Sequence, residues 1–390
     1  MAADAHAVVS ARGARRWAAG HPWIFKSDVV LPPSAPPGAL RVLDHTGAAI
    51  GMALWSPASE IALRKLDSAS DHPIDAHWWH DRISSAIARR APLAGHTTGY
   101  RLVFGEGDGL PSLVVDRYDR WLVVQLLSAG VEAFRTEIVA ALQSLTGASG
   151  ILARNDASVR AREGLARVVE PLAGEVPHEI EIVEHGVRYV AAPHTGQKTG
   201  AFLDQRENRV LAGSVAAGAA LDLFSYHGSF ALHLAERAAH VTAVDSSAPA
   251  LERAGSNAAL NGRANIALVQ ADVFEFVREQ FRVGARFDTI VLDPPAFAKN
   301  RASLEGAVRG YRDLNLHVMR LLAPGGQLFT ASCSYHLSRA AFLEMLQDAA
   351  AASGRQLMLR RVTGQPLDHP ELLTVPETGY LKGALLEAAS

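Results

Sequence analysis

Cys333 is the one cysteine among 390 residues, and it follows a strand-like run in the segment LFTASCSYHL. A second reactive segment, Asp293-Pro294-Pro295-Ala296-Phe297, follows another strand-like run, DTIVLD. A thiolate can add to carbon-6 of a cytosine, break the aromatic ring and make carbon-5 enamine-like, ready to attack an electrophilic methyl group. A carboxylic acid at ring nitrogen-3 draws electrons the same way, which Asp293 can do only if an enclosed site raises its pKa. The paired prolines fix φ and remove backbone donors, so the loop is stiff, and Pro294, Pro295 and Phe297 are candidates to hold a planar base. The plainer readings are a Cys333 that merely fills space at a strand end and a Phe297 that belongs to the core. The place of Cys333 at a strand end beside this loop favours the nucleophile.

Three more acids close successive strand-like runs: Asp222 in ALDLF, Asp245 in HVTAVD and Asp272 in IALVQAD. The turn SYHGSF holds one glycine, Gly228, where a dinucleotide needs several for backbone to approach its pyrophosphate, so NAD is disfavoured. Asp245 can accept both hydroxyls of a ribose, and Asp272 the amino group of an adenine whose ring rests on Val273. Asp222 would stand near a cationic amino-acid head. An adenosine without phosphates joined to such a head describes S-adenosylmethionine, with Ser225, Gly228 and Ser246 supplied by the same turns. Taken singly, each acid could equally cap the helix that follows it.

From about residue 180 strands and helices alternate, which predicts a parallel doubly wound sheet with its ligands at the C-terminal strand ends. Before that, Pro and Gly punctuate short apolar runs from PPSAPPG to IALRKL, the rhythm of a small all-β unit. A helix is expected around 74 to 90, with Ile74, Trp78, Ile83 and Ile87 on its apolar side. Three strand-like runs follow in YRLVFGEGDGLPSLVVDRYDRWLVVQLLS. Strands flank GEGDG, so no helix N-terminus is there to hold a phosphate, and a hairpin loop is expected. His77 and His80 lack a third ligand and read as surface histidines, with no metal implied. In ARGARRWAAGHPWIFK, Arg12, Arg15, Arg16 and Lys26 lie among Trp17, Trp23 and Phe25. That mixture suits phosphates and unstacked bases, or else a solvated first helix.

With 48% hydrophobic and 20% charged residues the chain is of globular type, and its length suggests two or three domains. The net charge of −2 gives no global support for nucleic-acid binding, so any such surface is local. One cysteine allows neither an intrachain disulfide nor a thiolate metal site. No signal-like or membrane-length apolar run is visible, and a cytoplasmic protein is expected.

These residues, together with GHPWIF at 20 to 25, YRLVFGEGDGLPSLVVDRY at 100 to 118, GQKTGAFLDQRENR at 196 to 209, LFSYHGSF at 223 to 230, LDPPAFAK at 292 to 299, SCS at 332 to 334 and PETGYLKG at 376 to 383, carry a resemblance. Nearly end to end, the chain resembles the ribosomal large subunit methyltransferase I family, S-adenosylmethionine-dependent enzymes that make 5-methylcytosine in 23S ribosomal RNA. The resemblance implies a PUA β-barrel that binds RNA over 1–72, a hairpin-rich α+β domain over 73–180 and a Rossmann-like class I methyltransferase domain over 181–390. It implies that GQKTGAFLDQR covers the cofactor, with Lys198, Thr199 and Phe202 as contacts, that Cys333 is the nucleophile and that Asp293 is the acid. The partner would be 23S rRNA or the large ribosomal subunit, bound in part by Arg12, Arg15 and Arg16. Two positions depart from relatives: Ala296 stands where other RNA cytosine methyltransferases carry a second cysteine, and His227 where Thr is frequent. A base-nitrogen methyltransferase and a non-catalytic RNA-binding assembly factor are the competing readings, and the oligomeric state is open, a homodimer included.

Overall fold

The short apolar runs of the first 70 residues pair edge to edge, because none is long enough to bury a face alone. In the computed structural model, described for residues 5–68, 71–297 and 304–389, they form a six-stranded sheet. Its order is Trp23–Ile24, Leu63–Asp67, Ala49–Trp55, Gly38–Leu43, His6–Val9, Val29–Leu31, and only the pairing of His6–Val9 with Gly38–Leu43 is parallel. The basic helix Ala11–Ala18 is capped by Ser10, whose hydroxyl accepts from Gly13 N at 3.1 Å. Trp17 is 3% exposed and joins Val9, Ile24, Val42 and Leu63 in this core. It is therefore a packing residue and not a platform for RNA bases, a correction to its place in the basic and aromatic cluster.

The expected helix near 74 to 90 spans Ala76–Ala88, started by Asp75, which accepts from the N–H of His77 and of Trp78. Its deepest face is Trp79, Ile83 and Ala86, all fully buried, with Trp78 beside them. Trp79 was absent from the apolar side read from spacing. This helix and Arg135–Thr146 share a core with a five-stranded sheet ordered Val168–Gly174, Gly150–Asn155, Trp121–Leu126, Leu113–Tyr118, Gly99–Phe104. GEGDG is indeed the tip of an antiparallel hairpin, and buried Asp108 in it accepts from both terminal nitrogens of Arg90 at 2.6 Å. His77 is exposed and stands 3.4 Å from Asp81.

Chain packing groups these two sheets into one unit, Met1–Ile182 with Ala191–Leu203 and Leu367–Thr378, and the remainder into a second, Val183–Val190 with Asp204–Pro366 and Gly379–Ser390. The second unit is built on a seven-stranded sheet: β1 (Ala219–Leu223), β2 (His240–Asp245), β3 (Ile266–Gln270), β4 (Phe287–Leu292), β5 (Leu322–Ser332), β6 (Leu357–Thr363) and β7 (Lys382–Ala388). The spatial order is β3-β2-β1-β4-β5-β7-β6. Strands β1 to β5 are parallel, as the alternating pattern predicts; the inner residues of β1, β2, β4 and β5 are buried because helices cover both faces, while β3, at the sheet edge, has no buried residue. Strand β7 runs antiparallel to β5 and β6, an addition to the purely parallel sheet expected. The helices are α1 (Arg206–Ser214), α2 (Ser229–Leu234), α3 (Ala248–Leu260), α4 (Val273–Arg282), α5 (Leu304–Arg320) and α6 (Arg339–Ser353).

A charged cluster ties α1 and α2 of this unit together. Arg209 donates to both Glu184 oxygens at 2.6 Å, and His233 and the Tyr189 hydroxyl reach the same carboxylate at 3.1 and 2.9 Å. Burial alone would raise Glu184, but the Arg209 charge and these bonds outweigh it and hold the carboxyl well below its usual range. Among the described residues, no helix is long and apolar enough to cross a membrane.

Candidate active site

The site follows from the rule that parallel strands present their C-terminal ends to a common crevice. Strand β1 delivers Asp222, then a tight loop in which Phe224 and Tyr226 have φ of 62° and 47° and Gly228 of 75°. A Cβ on Gly228 would meet Ala254 Cβ at 3.0 Å, so glycine is required there for both reasons. Asp222 is 1% exposed, and its carboxylate accepts from Ala231 N in the first turn of α2 at 2.9 Å. Burial pushes its pKa well up, and the negative charges of Asp293 and Asp245 add to that. A cation among these three carboxylates would relieve all of them.

Asp245 ends β2, half-buried, with Oδ2 accepting from Tyr226 N and Oδ1 from Ser247 N, each at 2.9 Å. Those two bonds fix the carboxylate plane and leave each oxygen a lone pair for a further donor. Ser225 is buried between them in sequence, its N–H bonded to Val244 O, and its hydroxyl has no partner. A buried hydroxyl in that state is short of one hydrogen bond that a ligand can supply. The Asp222, Ser225 and Asp245 set thus fits a ligand with a cationic head and a ribose, the chemistry of S-adenosylmethionine.

The outer residues are arranged differently. Asp272 is exposed and caps α4, accepting from Glu275 N at 3.0 Å, the plainer role foreseen for any strand-end acid. Val273 is 3% exposed and packs into the core with Val244 and Leu292. Ser246 is exposed, its carbonyl accepting from Gln270. His227 is buried, its ring stacked on Tyr226 at 3.5 Å, and burial followed by the nearby Arg253 charge pushes its pKa down to about 4, so the imidazole is neutral at neutral pH.

At the other side of β1, β4 and β5 lie side by side with Leu292 level with Thr330. Asp293 leaves β4 half-buried, and Cys333 leaves β5 three residues beyond Thr330, also half-buried. The two strand ends therefore bring the candidate acid and the candidate nucleophile to one edge of the crevice. Pro294 is buried and Pro295 exposed. Phe297 stacks on Tyr311 at 4.4 Å, so one ring face is taken, and it also lines a cavity of ≈ 680 Å³ with Phe274, Glu305, Arg309 and Gly310. Lys299, the last residue of the LDPPAFAK motif, lies outside the described residues.

The remaining candidates belong to the first unit. Thr199 is 1% exposed, donating to Asp116 at 2.5 Å and bonded to the Tyr118 hydroxyl at 2.9 Å, which in turn accepts from Ala201 N. Its hydroxyl fastens the GQKTG segment to a strand. Lys198 has φ 55° and its ammonium sits 4.7 Å over the Phe202 ring. Arg12 donates to Asp28 at 2.7 Å with its side chain 64% exposed, Arg15 is exposed, and the Arg16 guanidinium lies 4.6 Å over Phe25.

Sequence reasoning missed Tyr311 and Lys382, whose polar atoms bond to Ser334, the residue after Cys333. Tyr311 carried no signal apart from its apolar helical face, whereas Lys382 lay inside the quoted PETGYLKG motif.

Comparison with known proteins bears on the cofactor and on the family. A family described as S-adenosylmethionine-dependent methyltransferase matches residues 100–380, and a PUA-like domain matches 8–68. A protein of Klebsiella pneumoniae (strain 342) named ribosomal RNA large subunit methyltransferase I is 39% identical over 372 residues, covering 93% of each chain. One of the same name from Shewanella amazonensis is 40% identical, covering 93% of this chain and 94% of its own. Among solved structures, a SAM-dependent methyltransferase from Streptococcus mutans superposes with TM-score 0.83 at 21% identity over 98% of this chain and all of that one. A methyltransferase complexed with SAH reaches 0.85 at 22% identity over the same shares. At those identities the two structures speak for the fold alone. The chain belongs to the ribosomal RNA large subunit methyltransferase I family of S-adenosylmethionine-dependent enzymes.

Proposed function

We propose that this enzyme converts a cytosine of 23S ribosomal RNA to 5-methylcytosine, with Cys333 as nucleophile and Asp293 as acid. S-adenosylmethionine, when bound, supplies an electrophilic methyl group; Asp222, Ser225, Gly228 and Asp245 would hold it, with Ser246, Asp272 and Val273 at the adenine end. The Cys333 thiolate adds to cytosine carbon-6 while Asp293 hydrogen-bonds or protonates nitrogen-3, and the electron pair moves to carbon-5. Once carbon-5 carries the methyl, its proton passes to solvent water, the C–H pair reforms the 5,6 double bond, Cys333 leaves as thiolate and any proton placed on nitrogen-3 returns to Asp293. Pro294, Pro295 and Phe297 confine the base. In this reading residues 1–72 bind RNA, with Arg12, Arg15 and Arg16 contributing, 73–180 form a middle α+β domain with β-hairpins, 181–390 carry the chemistry, and the enzyme meets its RNA in the cytoplasm.

The observation that carries the reading is the strand register that brings Asp293 and Cys333 to one crevice edge, β4 beside β5. Nucleoside mass spectrometry of large-subunit RNA methylated by the purified enzyme tests it. We expect 5-methylcytidine as the product; a methylated guanosine or adenosine in its place would overturn the assignment.

A further inference from the structure

The residue after Cys333 is held by every polar group it has. Ser334 is fully buried; its N–H donates to Ser332 Oγ at 3.3 Å, its carbonyl accepts from Lys382 Nζ at 2.6 Å, and its hydroxyl meets the Tyr311 hydroxyl at 2.8 Å. Tyr311 also donates to Pro295 O at 3.1 Å and accepts from Phe297 N at 3.3 Å. A carbonyl can only accept and an amide N–H can only donate. The single phenolic proton therefore goes to Pro295, and Ser334 supplies the proton in the shorter bond. One oxygen atom on α5 thus joins the diproline loop after β4 to the turn after β5 that carries Cys333. Burial pushes the Tyr311 pKa up, which keeps that proton in place.

We infer that Tyr311 is a positioning residue: its hydroxyl sets the separation between Cys333 and the Asp293 loop, with Ser334 as the link and Lys382 as the anchor. This rests on Cys333 being the nucleophile. The physical reason for such a device is that both reactive groups sit just past strand ends, where the ladder no longer fixes them, and an error of about 1 Å can cost about 10²-fold in rate.

Tyr311→Phe removes only the hydroxyl and keeps the ring stacked on Phe297. We expect kcat to fall about 10- to 100-fold, while KM for RNA and Kd for S-adenosylmethionine stay within about twofold. Ser334→Ala breaks the same bond from the other side, so the Tyr311→Phe/Ser334→Ala double variant should lose little more than the worse single one. Wild-type kcat in both single variants, alongside an inactive Cys333→Ala enzyme, would overturn the clamp and leave the nucleophile standing. So would losses that multiply in the double variant, or a kcat loss matched by a rise in cofactor Kd, which would mark general loosening. Turnover by Cys333→Ala would instead remove the reading on which the clamp rests.

Discussion

Cys333→Ala is expected to abolish methyl transfer, with a loss of at least about 10³-fold in kcat, while S-adenosylmethionine and RNA bind as before. The reason is chemical. Carbon-5 of an intact cytosine is part of an aromatic ring, and nothing else in the crevice can break that ring, since this is the one thiol in the chain. A hydrogen-bonded acid such as Asp293 can polarise nitrogen-3 but cannot supply the electron pair at carbon-6. Methylation of a ring or exocyclic nitrogen needs no nucleophile, so there the same substitution would cost little. A Cys333→Ala enzyme within about tenfold of wild type would therefore transfer the chemistry to a nitrogen atom.

The second large effect is expected for Asp245→Ala. Its two oxygens already accept from Tyr226 and Ser247 N–H groups, which hold the carboxylate in place for a ribose diol. Hydrogen bonds to a charged acceptor contribute about 1.5–3 kcal/mol each, so losing two predicts a Kd for S-adenosylmethionine raised about 10²- to 10⁴-fold. Asp245→Asn, which keeps one acceptor oxygen, should fall between Ala and wild type. Calorimetry reads both directly, and an unchanged Kd in Asp245→Ala would show that the ribose lies elsewhere. Asp272→Ala should cost less, because its carboxylate caps α4 from an exposed position.

Much of the second unit was legible because its signals are local and repeat: a strand, a loop with an acid, a helix. Asp222, Asp245, Asp293 and Cys333 fall at strand ends for the same reason, as a parallel sheet aims all those ends one way. What was not legible depends on contacts between distant segments. Trp17 sits among arginines in sequence, and only the pairing of strands around it decides that its ring is buried. Trp79 and Trp78 are adjacent, and spacing alone does not say which of them is the deeper. Strand β7 runs antiparallel to β5 and β6, and the chain from 367 to 378 before it belongs to the first unit, neither of which any periodicity announces. The Tyr311 clamp joins four segments, and each of its bonds spans 14 to 48 residues.

The central claim is a covalent bond between Cys333 and cytosine carbon-6. RNA in which the target cytosine carries fluorine at carbon-5 tests it, because with no proton to lose there the adduct cannot resolve. Incubated with S-adenosylmethionine, the wild-type enzyme should form a denaturation-resistant complex whose cross-linked peptide contains Cys333, and Cys333→Ala should form none. Complete turnover without a trapped complex, or a cross-link at any other residue, would contradict the account.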